Sequence, residues 1–280
     1  MTDLLKELEG LEQRAIDVLT EAGRDTEGVR LPFAALYIHV INGDPKLKDS
    51  KCPAQYFGGF SADADRMGEM VDLGEVDGLP GGWTAYTGVS GDKEWNALGS
   101  RSITVAVIKG RQSWLDKTGF TRFPNYTATN TRRHLQYLGA LAVGGNFYAP
   151  VVITAKGFQA QRVIEAADGW KRAIRPCLKE LNATTLPRSA WWISLGTSGD
   201  KPEFETVGRE AQNRITPIRA ILPAGKLEAE MVKALFVGAQ NLRRFAEMYE
   251  QAKDWLEAWK TPVAPQPESR DEQPTETDLF

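Results

Sequence analysis

Between Arg101 and Ala190 the chain sets fourteen bases against four acids, Asp116, Glu165, Asp168 and Glu180. Residues 1–100 hold 9 bases and 18 acids, residues 191–260 balance at 10 and 10, and residues 261–280 hold one base and five acids. The net charge of −3 therefore conceals a strongly segregated field around which the rest of the chain is arranged. A basic block of this kind is the electrostatic footprint of a polyanionic partner. Trp114, Phe120, Phe123, Tyr126, Tyr137, Phe147, Tyr148, Phe158 and Trp170 are interleaved with its bases. Bases for phosphate and aromatic faces for stacking form the composition that single-stranded nucleic acid selects. A domain with its rings in the core and its lysines in water has the same composition, so both readings stay open at this point.

The length of 280 residues suffices to bury a full core, as one large domain or two small ones. No apolar run approaches the ~20 residues of a membrane span. The first residues, MTDLLKELEGLEQR, are acidic and amphipathic, the opposite of a secretory signal, which predicts a cytoplasmic setting. Cys52 and Cys177 lie far apart with no CxxC spacing, as expected of reduced thiols. His39 and His134 are the two histidines, so no His-rich metal site or His-based triad is expected. The acids of residues 60–80 (Asp63, Asp65, Glu69, Asp72, Glu75 and Asp77) match no calcium-loop spacing and read as a solvated loop. No cofactor and no metal is expected.

Taken in order, residues 3–22 carry Leu4, Leu8, Leu11, Ala15, Val18 and Ala22 at helical spacing, which marks 1–28 as an amphipathic helix. Leu31–Ile41 reads as a buried strand ending at the turn Asn42-Gly-Asp-Pro45. Ser102–Leu115 predicts a strand that runs out into a basic loop bearing Trp114. Thr131 is placed to cap a helix over Arg132–Val143, and Phe147–Ala155 resumes as strand. Gln159–Leu181 has a helical pattern, three short strands follow, and Leu227–Lys260 reads as one long helix. The last twenty residues contain four prolines and too little apolar bulk to fold, which predicts a disordered acidic tail. The organisation expected is thus a helix over 1–28, a β-rich binding core over 29–223, a helix over 224–260 and a tail over 261–280. The fold class expected is α+β, with a mainly antiparallel, barrel-like β core and inserted helices.

Trp83–Lys93 and Trp191–Lys201 share six identities over eleven positions, each an aromatic stretch running into Gly-x-Ser-Gly-Asp-Lys. That pattern is hairpin chemistry, read here as convergent turns. Neither copy has the spacing of a phosphate-binding loop or of a nucleophile elbow.

The chain ends in Asp278-Leu279-Phe280, and this acidic tail with a terminal Phe resembles the tip of bacterial and phage single-stranded DNA-binding proteins. The tip maps onto Asp278, Leu279 and Phe280, with Glu272 and Glu276 as looser matches. The acids are dispersed where that family has a dense run, and no Pro precedes Phe280. The resemblance implies an oligonucleotide/oligosaccharide-binding (OB) barrel holding the strand. It also implies a tail that competes with DNA for the basic groove and recruits replication or recombination proteins.

From the basic block, DNA contacts are expected at Lys109, Arg111, Trp114, Lys117, Arg122, Phe123, Tyr126, Arg132, Arg133, Lys156, Arg162, Lys171 and Arg172. The function expected is non-catalytic, sequence-tolerant binding of single-stranded DNA, with homo-oligomerisation left open. A strand-annealing recombination protein, a metal-dependent nuclease and a phage structural protein are the alternatives.

Overall fold

The structure, a computed structural model, describes residues 31–90, 93–116, 122–128, 131–197, 199–208 and 213–260. The helix expected over 1–28, Lys117, and the tail with Asp278, Leu279 and Phe280 lie outside the described residues. The chain begins with Leu36–Asn42 (β1), a short helix Pro53–Phe57 (α1), Gly58–Asp63 (β2) and Ala64–Asp72 (α2). The hairpin Thr84–Ser90 (β3) and Lys93–Ser100 (β4) precedes Ser102–Leu115 (β5) and the two-residue Arg122–Phe123 (β6). Arg132–Val143 (β7) and Asn146–Lys156 (β8) lead into a long helix, Phe158–Glu180 (α3). Ile193–Gly196 (β9), the small hairpin Glu205–Val207 (β10) and Asn213–Ile215 (β11), and Arg219–Ile221 (β12) follow. Ala229–Lys233 (α4), Ala239–Gln251 (α5) and Lys253–Glu257 (α6) complete the described chain.

The fold is α+β around one curled, half-barrel sheet. Its strands run in the order β12-β9-β5-β7-β8-β1-β2-β4-β3, with β6 added beside β5 and β10-β11 forming a separate pair. The sheet is mixed: β1 lies parallel to β8, while the other described neighbours pair antiparallel. One face packs Val105, Val107, Leu135, Leu141, Val151 and Ile153 against Val163, Ala167, Trp170 and Ile174 of α3. The other packs Ala106, Leu138, Ala140 and Val152 against Phe245, Met248, Trp255 and Leu256 of α5 and α6. The central strands are thus covered on both sides. The acids of 60–80 have a local role: Asp63 caps α2, accepting from the amides of Asp65 and Arg66, and Asp65 sits in its first turn, where the helix dipole favours negative charge.

Two expected elements are corrected. Arg132–Val143 is a strand and not a helix. From His134 to Ala142 its residues are buried without a break, because β7 lies between β5 and β8 under helices on both faces. A strand covered on both sides loses the two-residue alternation that would have marked it. The long C-terminal helix is likewise three short ones. Residues 235–237 turn aside to pair with 190–192: Trp192 N–H donates to Leu235 O at 2.9 Å and Val237 N–H to Ala190 O at 3.0 Å. Gly238, at φ 84°, then restarts the chain as α5, and Ala252 breaks it again before α6. The helix expected over Gln159–Leu181 is present as α3. The two echo segments occupy unrelated places, one entering β3 of an edge hairpin and the other leaving β9 beside β5.

Candidate nucleic-acid interface

An irregularity in β5 decides which aromatic rings face outward. Before it, Thr104 and Ala106 share a face with Ala142 and Ala140; between Val107 and Lys109 the register slips by one residue. Beyond the slip Arg111 and Ser113 pair with Gln136 and His134 on that same face, and Trp114 joins Arg133 on the α3 side. A single inserted residue reverses every later side chain of a strand. Trp114 is therefore a strand residue at the end of β5, half-buried, and not the loop residue expected.

Around Trp114 the ends of several elements converge. β6 sets Phe123 opposite it in the ladder, and Tyr126 meets its ring edge-on at 5.0 Å. Arg133 of β7 lays its guanidinium 4.9 Å from the centre of the Trp114 ring. β8 ends at Lys156, and Gly157 turns the chain into α3 with φ 60°, donating its N–H to Arg133 O at 2.6 Å. That left-handed turn favours glycine and brings Phe158 to the surface immediately beyond it. Arg214 of β11 closes the opposite side. Trp114, Tyr126, Arg132, Arg133, Lys156, Phe158 and Arg214 line one cleft of about 730 Å³. Tyr126 is 61% exposed and Phe158 44%, values that set these rings apart from a core.

The cleft is held rigidly. Asn42 Oδ1, at the end of β1, accepts from the Thr216 amide at 2.9 Å and from Gln159 Nε2 at 2.6 Å, and Gln159 Nε2 also donates to Thr216 O at 2.7 Å. This clamp joins the first turn of α3 to the segment after β11. Along the exposed side, Arg133 donates to Gln161 Oε1 at 2.5 Å and Gln161 to Glu165 Oε1 at 2.8 Å, and Arg162 donates to Glu165 Oε2 at 2.5 Å. Those bonds, from Gln161 first and then Arg162, hold the Glu165 carboxyl below the usual carboxylate range. Arg162 Nε also lies 2.6 Å from Glu205 Oε2, off the hydrogen-bond line, so that contact is an ion pair tying β10 to α3.

Other expected contacts are placed differently. Arg111 is buried beneath α6. Its guanidinium lies 3.5 Å from the centre of Trp255 and 4.1 Å from that of Trp259, and donates to Gln136 Oε1 and to Trp255 O. It belongs to the interior and not to a phosphate site. Arg162 has two carboxylates as neighbours, so its charge is already balanced. Arg122 lies over Trp259 at 4.6 Å, while Phe123, 36% exposed, pairs with Trp114 in the ladder but does not line the cleft. Lys109 is exposed beside the slip in β5, near Tyr137 and Arg188. Lys171 and Arg172 lie on the far half of α3, apart from the cleft. Beneath Trp259, His134 is buried with neither ring nitrogen hydrogen-bonded, and burial, then Arg122, Lys156 and Arg111, push it down to about 2.

Arg214 was absent from the expected site. It comes from the charge-balanced stretch after residue 190, where no excess of bases marks it, and it reaches the cleft through the β10-β11 pairing alone. Gln161 was missed because an uncharged side chain leaves no trace in a charge count. Among the described residues no group of three or more His, Cys, Asp and Glu side chains is arranged to hold a metal ion. Likewise among them, no helix is long and apolar enough to cross a membrane. Compared with known proteins, this chain matches no protein family, no curated protein and no solved structure.

Proposed function

We propose that the chain is a non-catalytic, sequence-tolerant single-stranded DNA-binding protein acting in replication or recombination in the cytoplasm. The observation that carries this reading is the cleft beside Trp114, where three partly exposed rings and four cations from five separate elements and the loop after β6 meet. Trp114, Tyr126 and Phe158 supply faces on which bases stack, and stacking accepts any base because every base has a π-face. Arg132, Arg133, Lys156 and Arg214 supply the cations for phosphate. Arg133 is held by Trp114 on one side and Gln161 on the other, so little ordering is left to be done on binding. The finer, OB-like reading enters as a mode of binding: a strand laid across the end of a curled sheet, with its bases against rings and its backbone along bases of the protein.

The tail Asp278-Leu279-Phe280 belongs to the same proposal, as the segment that competes for this cleft and recruits partner proteins. The test is a titration of a fluorescent oligothymidylate by polarisation, at two salt concentrations. Salt-sensitive binding weakened by Trp114→Ala supports the reading. Binding with no salt dependence, or none at all, overturns it.

A further inference from the structure

The exposed side of α3 changes character along its length. In its first half the charges are paired: its one base, Arg162, meets Glu165 at 2.5 Å, and Arg188, from beyond the helix, reaches across to Asp168 at 3.3 Å. In its second half Lys171, Arg172, Arg175 and Lys179 are all exposed, and among the described residues none has a carboxylate within ion-pair distance. The four occupy successive turns and line, with Asp168, Leu178 and Thr184, a second depression of about 620 Å³, in which four cations outnumber one carboxylate. Lys179 alone lies in the last turn, where the helix dipole rewards a cation, so the dipole does not account for the other three. At 1.5 Å rise per residue the group begins roughly 20 Å from Phe158 and ends roughly 30 Å from it. The Glu165 carboxylate stands between the two regions, and Asp168, already paired with Arg188, forms the near edge of the second depression.

The two sites also differ in kind. The cleft has rings and cations together, whereas no aromatic residue lines the second depression. Cations without rings read backbone charge alone, which is the phosphate-positioning part of nucleic-acid recognition. We propose that the far half of α3 is a second, phosphate-only site, so that one chain holds two nucleic-acid segments at once and bridges them. This rests on the cleft being the first site. Bridging of two strands brings them to high effective concentration, and complementary strands held this way should anneal faster.

The experiment uses the full chain and two separate, non-complementary oligothymidylates of about eight nucleotides, within the span of one binding site. One is immobilised on beads and saturated with protein, and the other is fluorescent and added afterwards. Wild type should retain the fluorescent strand, and the quadruple variant K171Q/R172Q/R175Q/K179Q should retain at least tenfold less. Its affinity for a single strand in solution should change less than twofold. Calorimetric stoichiometry should fall from two oligonucleotides per chain to one, with the circular dichroism spectrum unchanged. Equal capture by the variant overturns the second site and assigns bridging to assembly of several chains. A wild-type stoichiometry of one overturns it as well. If the immobilised strand retains no protein, the cleft reading fails first and this inference falls with it.

Discussion

Two arginine–tryptophan contacts lie on opposite faces of the same sheet, within four residues of each other on β5, and they have opposite fates. Arg133 over Trp114 stands at the rim of an open cleft, with Tyr126 and Phe158 exposed beside it. Arg111 between Trp255 and Trp259 is sealed under α6, 6% exposed and fully engaged by Gln136 and the Trp255 carbonyl. The residue types are the same. Only the register slip after Val107 and the presence of a covering helix separate an open cleft from a core. A cation over a ring is thus no sign of function until it is known what covers the pair.

The largest effect that tests this contrast is on stability. Trp255→Ala removes a fully buried indole and should cost about 3–5 kcal/mol in urea unfolding. Arg111→Ala strands Gln136 Oε1 and the Trp255 carbonyl, and should cost a similar ~3–5 kcal/mol. Neither change should alter the DNA affinity of the protein that remains folded. A stable Arg111→Ala protein with lost DNA binding would move Arg111 into the site and erase the contrast.

Trp114→Ala should do the reverse: lose about 1–3 kcal/mol of binding, the value of one stacked base, with little change in unfolding midpoint. If it unfolds the protein instead, Trp114 is core and the cleft is a by-product of packing.

A third test uses acid. His134 is neutral when folded, with its value pushed from about 6.5 to about 2 by burial and by Arg122, Lys156 and Arg111. As pH falls below 6.5 the unfolded chain takes a proton that the folded chain refuses. The contribution of His134 is therefore intact above about 6.5 and is lost progressively toward about 2, by at most about 1.4 kcal/mol per pH unit. His134→Phe keeps the contact with Trp259, removes two unpartnered nitrogens and should flatten that slope. Unfolding midpoints at three pH values for both proteins decide it. An unchanged slope would mean that His134 gains a proton without unfolding and that Trp259 does not seal it.

How much of this was legible follows from what each signal depends on. β1, β5, β8 and α3 were readable because their apolar runs and periods are local properties. Arg132–Val143 was not, because a strand buried on both faces and a buried helix offer the same unbroken run, as His134 to Ala142 do. The C-terminal helix failed for a different reason: its amphipathic pattern is continuous, and the pairing of residues 235–237 with 190–192 is a long-range event. Arg132, Arg133, Lys156 and Tyr126 came together as candidates because they belong to the basic block. Arg111 joined them wrongly, since its burial depends on a register slip that no composition records. Arg214 was missed for the complementary reason, being brought in by a hairpin from neutral sequence.

The smallest effect is also the most selective. If Arg132, Arg133, Lys156 and Arg214 each neutralise one phosphate, the logarithm of affinity should fall with the logarithm of salt at a slope of about 2.8, from ~0.7 per single-strand contact. Replacing Arg132 and Lys156 by Gln removes two of the four and should lower the slope by about 1.4. Both side chains are exposed, so stability should hardly change. Arg111→Lys is the control from the other face: it keeps a charge in the interior and should leave the slope where it was, whatever it does to the melting temperature. Equal slopes for wild type and the Arg132/Lys156 variant would mean that those two cations sit in solvent and that phosphate is gripped elsewhere. The far half of α3, with its four exposed bases, would then be the primary site and the aromatic cleft secondary.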